Sequence, residues 1–362
     1  MKIAIDLTSL SYHLTGIERY AMGVTDKMLD LDPNNEYVLI FREEIFPLFV
    51  NRIDGKRIKA VVLQGKNKFI FLQFVLTNTL RKIKADKYIF FAFPGPILFR
   101  KKGIINTIHD MGAWDYSKAM TTLSRYYFRI SYRIAAKISE KIITVSNFSK
   151  GRIHEVLGVP KERIEVIYSA IYEEILNENT ITFEVVRNEY GLPDKYIMTL
   201  STLEPRKNMK LLLEAYNKVA DCVDYDLVLV GRKGWKIDAV IDEYKVKERI
   251  HITGFVEDEH LSAIYKNALC FVFPSLYEGF GLPPVEALEM GIPVISSNAA
   301  SMPEILRNQA VFFKSGDKNE LRDLLLNLES NVGQMPCEMD KYQKANYRFD
   351  VSAKKILQIL SE

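Results

Sequence analysis

Cysteine is scarce in this sequence, which has only Cys222, Cys270 and Cys337 among its 362 residues. Their odd number and wide spacing exclude a disulfide framework and the close pairing of a structural zinc site. Few, unpaired cysteines are typical of a reducing compartment. The sequence also opens directly on a predicted strand, with no secretory signal pattern. We therefore expect a cytoplasmic protein.

Long apolar runs are also lacking. None approaches the roughly 18 residues of a membrane-spanning helix. The overall composition, 48% hydrophobic and 26% charged, is that of an ordinary globular chain. No G-x-G-x-x-G motif follows the first predicted strand, which argues against a dinucleotide-binding dehydrogenase.

The net charge is only +3, but it is divided unevenly along the chain. Residues 1–170 hold 27 Lys and Arg against 16 Asp and Glu, whereas the remainder holds 22 against 30. A basic first half indicates an anionic partner. Nucleic acid is not expected, because no nucleic-acid motif is present and the second half is acidic.

Short apolar runs alternate with helical patterns along most of the chain, which predicts an α/β protein with parallel sheets. The length favours two Rossmann-like domains. We place the first at residues 1–170 and the second at residues 193–345. Residues 171–192 are charged and are expected to form an irregular linker.

Residues 271–295 are the most informative stretch. A buried strand at residues 270–273 leads into a loop with Glu278, Gly279 and Gly281, and Pro283 suits the first turn of a helix. Such a helix start directs free N–H groups at one point, which suits a phosphate. Glu278 and Glu286 would be acceptors for sugar hydroxyls. The alternative is an ordinary surface loop beside a solvated helix face.

This stretch resembles the E-x7-E signature of the retaining family-4 glycosyltransferases, which have the GT-B fold. The matching residues are Pro274-Ser275, Tyr277-Glu278-Gly279-Phe280-Gly281-Leu282, Glu286-Ala287 and Gly291-Ile292-Pro293-Val294-Ile295. The resemblance implies that Glu278 lies beside the donor sugar and that Glu286 holds the ribose of the nucleotide. It also implies that two domains face a central cleft, and that residues 346–362 form a helix returning to the first domain.

Arg206 and Lys207 follow the strand predicted at residues 196–200. Adjacent cations at a strand-to-helix junction suit a diphosphate, although such a pair is more often plain surface charge. Glu204-Pro205-Arg206-Lys207-Asn208 is similar to the family's donor-diphosphate motif. The resemblance therefore gives Arg206 and Lys207 that role, together with the backbone N–H groups of residues 279–282, which include Phe280 and Leu282.

Four further residues receive roles from the family. His109 ends the strand predicted at residues 104–108, where a histidine could bind a ligand or simply cap the strand. The resemblance places it, and more weakly Asp110, near the transferred sugar. Gly16 stands where the family has a glycine-rich turn beside the phosphates. Gly254 stands in a loop that borders the base.

Two further helices are predicted in the first half, and the second of them along the chain bears on the anionic partner. Residues 117–140 carry Arg125, Arg129 and Arg133 at four-residue spacing among aromatic residues. Such a helix can lie on an anionic membrane, or it can present a solvated arginine face over an aromatic core. Residues 68–82 are expected to be helical with four side chains directed inward: Phe71, Phe74, Val75 and Leu80.

The resemblance as a whole implies a retaining transfer of a hexosyl residue, with mannosyl or rhamnosyl favoured, from a nucleotide-diphospho-sugar to a saccharide. A lipid-linked acceptor in O-antigen, capsule or other polysaccharide assembly would place the enzyme peripherally on the inner face of the plasma membrane. No metal or other cofactor is expected. The alternatives are a non-catalytic nucleotide-sugar-binding or scaffold subunit, and another GT-B enzyme such as a nucleotide-sugar epimerase.

Overall fold

The computed structural model describes residues 1–12, 14–117, 120–172, 181–200, 204–231, 244 and 246–362. His13, Ser201 and residues 232–235 are among the positions outside these ranges. The described residues form two compact units. The first comprises Met1–Ala170 and Ala345–Glu362, and the second comprises Ile171–Lys344.

The first unit is built on a seven-stranded parallel sheet with the strand order β3-β2-β1-β4-β5-β6-β7. Most of its residues are buried, as expected for a sheet covered by helices on both faces. The strands are β1 (Lys2–Asp6), β2 (Glu36–Arg42), β3 (Ile58–Leu63), β4 (Lys87–Phe90), β5 (Ile104–Thr107), β6 (Lys141–Thr144) and β7 (Ile164–Val166).

The second unit repeats this plan with a six-stranded parallel sheet in the order β10-β9-β8-β11-β12-β13. Its strands are β8 (Tyr196–Leu200), β9 (Asp226–Val230), β10 (Ile250–Gly254), β11 (Cys270–Phe273), β12 (Val294–Ser297) and β13 (Val311–Phe313). The strand order reverses between β8 and β11. Ligands of open α/β sheets bind beyond the carboxyl ends of the strands at such a point.

Helices connect the parallel strands, as crossover connections require. In the first unit the longer ones are Gly16–Leu31, Thr77–Ile83, Thr122–Ile138, Asn147–Leu157 and Phe349–Ser361. In the second they are Phe183–Tyr190, Met209–Val219, Asp258–Lys266, Leu282–Glu289 and Lys318–Leu326. Among the described residues, no helix combines the length and the apolar character needed to cross a membrane.

The last helix packs against the first. A Cβ atom on Gly23 would lie 2.6 Å from the ring of Phe349, so the ring would have to shift to admit a larger residue. The Ser352 hydroxyl also donates to the carbonyl of Tyr168 at 2.9 Å. Residues 345–362 thus form part of the first unit.

Three sequence expectations need correction. Residues 171–192 are not irregular throughout, because Phe183–Tyr190 is a helix anchored by the buried Val186. The helix expected at residues 117–140 spans Thr122–Ile138. Phe74 is 52% exposed rather than inward, because Phe71–Leu76 forms a π-helical turn that shifts the helical phase.

Gly103 lies just before β5, where the backbone of the first sheet is closely packed. Substitution of this residue tests that packing. Its φ is +76°, and a Cβ atom there would lie 2.1 Å from the backbone oxygen of Asp86. Gly103→Ala is expected to destabilise the protein by more than about 2 kcal/mol in urea unfolding.

Gly158→Ala is the matched control, because its φ is +68° and nothing lies within 4 Å of the added Cβ atom. Equal losses of unfolding free energy in the two variants would show that the contact with Asp86 is unimportant.

Candidate active site

The carboxyl ends of β8 and β11 bring two loops of the second unit together. The turn Pro205–Lys207 follows β8, and residues 274–281 follow β11. The Leu276 N–H donates to the carbonyl of Arg206 at 2.8 Å, and the Ser275 hydroxyl donates to the same carbonyl at 3.2 Å. These bonds fix the position of the Arg206 backbone relative to the loop of residues 274–281.

Glu278 is the centre of this arrangement. It is only 6% exposed, and its Oε1 accepts hydrogen bonds from Lys207 Nζ at 2.7 Å and from the Ser275 hydroxyl at 2.6 Å. Its Oε2 lies 3.4 Å from an Arg206 guanidinium nitrogen. Burial alone would raise the pKa of Glu278. Lys207, Arg206 and the Ser275 hydrogen bond outweigh that effect and lower it, so the group is a carboxylate at neutral pH.

The Lys207 side chain is buried in the same cluster. It is 9% exposed, and its ammonium group lies 5.4 Å from the centre of the Phe273 ring. A lysine so far removed from water needs a charged partner, which Glu278 supplies. The sequence predicted both residues for one site, and the structure brings them into direct contact.

The helix Leu282–Glu289 begins at the edge of this cluster. Gly281 precedes it with a φ of +86°, and a Cβ atom there would lie 2.5 Å from the methyl group of Met302. Pro283 and Pro284 have no N–H group. Of the first three helical positions, Leu282 alone therefore carries a backbone N–H group. Gly279 and Phe280 lie in the loop directly before this start.

Glu286 lies on the same helix and is 3% exposed. Its Oε2 accepts a hydrogen bond from the Tyr265 hydroxyl at 3.2 Å. Tyr265 itself is buried on the helix Asp258–Lys266. A solvated helix face, the alternative considered from the sequence, is therefore wrong for Glu286.

Gly254 ends β10, next to β9 and at the same edge of the sheet. Its φ is +76°, and its carbonyl accepts a hydrogen bond from the Gly231 N–H at 3.0 Å. Phe255 follows it and is 41% exposed. This loop offers backbone atoms and an aromatic ring to a ligand.

The remaining predicted residues lie in the first unit. Gly16 is the first residue of the helix Gly16–Leu31, which carries a capping box formed by Thr15 and Glu18. His109 follows β5, where its Nε2 lies 2.8 Å from the Phe91 carbonyl and its ring packs edge-on against Tyr20. Burial lowers the pKa of His109, so the ring is neutral at neutral pH. Asp110 accepts a hydrogen bond from the Gly112 N–H.

The first unit also contains a cavity of about 220 Å³. Ionisable side chains (Asp6, Glu18, Arg42) and aromatic ones (Phe71, Phe93, Tyr127, Phe128) contribute to its lining. Asp6 ends β1 and Arg42 ends β2, so the cavity opens at the carboxyl edge of the sheet. Burial raises the pKa of Asp6. A mixture of charged groups and aromatic walls is typical of a polar ligand site.

Two family comparisons match most of the sequence. Residues 16–174 match the family described as Glycosyltransferase Family 4, and residues 182–346 match the one described as Glycosyl transferases group 1. The chain belongs to the family-4 glycosyltransferases. It is therefore a glycosyltransferase, as predicted from its motifs.

Individual relatives agree with this assignment. O-antigen chain mannosyltransferase B of Escherichia coli is 29% identical over 326 residues, which are 84% of each chain. Serotype-specific mannosyltransferase WbdA of Escherichia coli is 31% identical over 196 residues, but these are 52% of this chain and only 24% of that protein.

Solved structures establish the fold of this glycosyltransferase. Anabaena HepE in complex with UDP-glucose superposes with a TM-score of 0.75 at 16% identity, covering 100% of this chain and 99% of that one. The predicted fold class, GT-B with two Rossmann-like domains, is confirmed.

The sequence did not indicate roles for several residues that contact the two glutamates of the candidate site. Ser275 and Tyr265 bond directly to the two glutamates, and Ser301 donates to the Glu278 carbonyl at 3.0 Å. Ser275 lies within the matching motif and could have been chosen from it. Tyr265 and Ser301 belong to separate elements and gave no sequence signal. Among the described residues, no group of three or more His, Cys, Asp or Glu is arranged to hold a metal ion.

The lowered pKa of Glu278 predicts a specific acid sensitivity. Its folded pKa lies below the ordinary value of 4.5, so its charge stabilises the folded state above that pH. The stabilisation is lost as the pH falls through the folded pKa. Glu278→Gln is therefore expected to make the free energy of unfolding less dependent on pH in the acidic range.

Urea unfolding at a series of acidic pH values measures this dependence. Glu184→Gln, at an exposed position on the helix Phe183–Tyr190, serves as the control. An unchanged pH dependence in Glu278→Gln would contradict the buried ion pair.

Proposed function

We propose that this glycosyltransferase moves a hexosyl residue, preferably mannosyl, from a nucleotide-diphospho-sugar to a saccharide with retention of configuration. The observation that carries the proposal is the buried cluster of Glu278, Lys207 and Arg206 beside the helix that starts at Leu282. The preference for mannose is supported by the two relatives named as mannosyltransferases, the first of which is an O-antigen chain mannosyltransferase. A role in O-antigen or related polysaccharide assembly has the same support.

The cluster suits the leaving group. As the bond between the anomeric carbon and the diphosphate oxygen breaks, negative charge grows on the diphosphate. Lys207, Arg206 and the N–H groups of residues 279–282 stabilise that charge, which is held in place before the reaction begins. No metal or other cofactor enters this scheme.

Glu278 has two tasks in the proposal. Its carboxylate fixes the Lys207 ammonium group and approaches Arg206, so that the cations are oriented without substrate. It also contacts the transferred sugar. Glu286, which the Tyr265 hydroxyl orients, binds the ribose hydroxyls, and the backbone beside Gly254 borders the base.

The reaction needs no protein base. The acceptor hydroxyl attacks the anomeric carbon on the face that the diphosphate leaves, and its proton passes to a phosphate oxygen. The new glycosidic bond then has the configuration of the old one. Nuclear magnetic resonance of the first product decides this point, because an inverted anomeric centre would refute it.

The cavity of the first unit is proposed as the acceptor site. Asp6, Glu18 and Arg42 supply hydrogen-bonding groups for a saccharide, and the aromatic walls suit the apolar faces of sugar rings. The excess of basic residues in this unit favours an acceptor linked to a lipid diphosphate, with the enzyme peripheral on the inner face of the plasma membrane. His109 near the sugar and Gly16 near the phosphates remain part of the proposal.

The second candidate function, a non-catalytic binding or scaffold subunit, would retain donor binding without turnover. An epimerase on the same fold would convert the nucleotide sugar without an acceptor. A panel of GDP-mannose, UDP-hexoses and dTDP-rhamnose separates these functions. Thermal stabilisation by one donor together with slow release of its sugar supports transfer. Binding without release supports the scaffold, and a changed nucleotide sugar supports the epimerase.

Donor binding should depend most on Glu286. Glu286→Ala removes the proposed ribose contact, and we expect at least about tenfold weaker binding of the nucleotide diphosphate, or about 1.4 kcal/mol, by calorimetry. Glu289→Ala, on the exposed side of the same helix, is the matched control. Unchanged affinity in Glu286→Ala would contradict the proposed layout.

Turnover should depend most on Lys207. Lys207→Ala removes a buried cation from the leaving group, and we expect about a 100-fold loss of kcat, or about 2.7 kcal/mol. Lys210→Ala is the control, because the Lys210 side chain is 75% exposed. Near-normal turnover of a folded Lys207→Ala protein would remove Lys207 from the mechanism.

A further inference from the structure

The helix Thr122–Ile138 exposes large apolar side chains on one face. Leu123, Tyr126 and Ile130 are 82%, 55% and 48% exposed, and their spacing places them on a single stripe. The same stripe continues with Arg133 and Lys137, which are also exposed. Its first half is therefore apolar and its second half is cationic.

A second exposed apolar segment lies beside this helix. Phe69, Ile70 and Phe74 are 56%, 54% and 52% exposed. The Phe69 ring lies 6.3 Å from the Tyr127 ring in an edge-on arrangement, which joins the two segments.

Leu98 adds a third segment. It is 46% exposed, and its N–H donates to the Gln73 side chain at 3.2 Å. We use the term apolar face for the exposed residues of the three segments: Phe69, Ile70, Phe74, Leu98, Leu123, Tyr126 and Ile130.

This clustering is not the usual scatter of surface hydrophobic residues. The apolar face contains seven of the sixteen large hydrophobic residues that are exposed in the described part of the chain. Single exposed residues need no explanation, whereas a cluster marks an interaction surface.

The charge around the apolar face is strongly positive. Residues 66–139 contain 14 Lys and Arg but only three Asp and Glu, which accounts for the entire basic excess of residues 1–170. The Arg81 guanidinium donates to the Leu98 carbonyl at 3.0 Å, and Arg100, Lys101 and Lys102 follow Leu98 on the surface. The acidic Asp115 is already paired with Arg152.

We propose that the apolar face inserts into the headgroup region of a bilayer rich in anionic lipid, while the surrounding cations bind the lipid phosphates. Amphipathic helices with apolar and basic residues bind membranes in this way. This membrane surface rests on the proposed function, because a lipid-linked acceptor would be presented to the enzyme there.

The inserted residues differ from the arginine stripe suggested by the sequence. Arg129 donates to the Ala113 carbonyl at 2.8 Å, and both Arg129 and Arg133 lie within 5.6 Å of the Trp114 ring centre. The Arg129 side chain therefore makes its contacts within the protein. Leu123, Tyr126 and Ile130, which neighbour this arginine pair along the helix, are the exposed part.

The acceptor cavity lies directly behind these segments. Phe71, Leu72, Tyr127 and Phe128 line it, and they belong to the same two helical segments that carry most of the apolar face. Membrane docking through this face would hold the cavity close to the lipid surface.

Co-sedimentation with vesicles tests the proposal. The full chain is mixed with vesicles of phosphatidylcholine alone, or of equal parts phosphatidylcholine and phosphatidylglycerol. We expect binding to the anionic vesicles that weakens with added salt. The triple variant Leu123→Ser/Tyr126→Ser/Ile130→Ser should bind at least about tenfold more weakly.

Val185→Ser and Leu326→Ser are the matched controls. These residues are 54% and 45% exposed but lie on helices of the second unit, so vesicle binding should be unchanged. All the substituted residues are exposed, and thermal unfolding confirms that each variant folds.

Three outcomes overturn the inference: no vesicle binding by the unmodified protein, equal binding by the triple variant, or binding that ignores lipid charge. If the unmodified protein is a dimer that the triple variant converts to a monomer, the face is an interface between copies instead. Calorimetry with the nucleotide diphosphate separates this inference from the proposed function. Donor binding without vesicle binding rejects only the membrane surface, and vesicle binding without donor binding rejects only the donor site.

Discussion

The buried contact between Lys207 and Glu278 is the interaction on which the second unit's site depends. Removing each ion from water costs several kcal/mol, and the pair repays that cost only if the geometry is held closely. The Ser275 hydroxyl donates a hydrogen bond to Glu278. Two further hydrogen bonds join the Arg206 carbonyl to residues 274–281. The two cations are thus held in position before any anion arrives, which is what stabilisation of a leaving diphosphate requires.

The topology explains why these distant residues meet. Arg206 and Glu278 are 72 positions apart, but β8 and β11 are neighbours at the point where the strand order reverses. The loops that follow the two strands therefore share one edge of the sheet. The glycine with positive φ before Leu282 then turns the chain, so that the helix starts at the same place. The site thus depends on the strand order, on the glycine before Leu282, and on the charges of Arg206 and Glu278.

The alternation of apolar runs and helical patterns predicted the α/β fold, and the motifs predicted a site for Arg206, Lys207 and Glu278, which lie in contact in the structure. The sequence could not predict every pairing, because Tyr265 and Ser301 reach the glutamates through tertiary packing. Helical periodicity failed at Phe74, where a π-helical turn changes the phase. It also could not show that Arg129 and Arg133 lie over Trp114, which belongs to another helix. The sequence did not reveal the helix Phe183–Tyr190, because Val186 is its one buried residue.

Charge and apolar surface combine in the first unit in a way that neither property alone would suggest. The basic excess of residues 66–139 would by itself suit any polyanion, and exposed aromatic side chains would by themselves suit any apolar partner. The basic residues and the exposed apolar side chains lie on the same helical segments that line the cavity. A partner that matches both has an anionic surface with an apolar layer beneath it. A bilayer with anionic headgroups has this layered character, whereas a free saccharide or a nucleic acid does not. The same two segments therefore relate the cavity to the surface from which a lipid-linked acceptor would come.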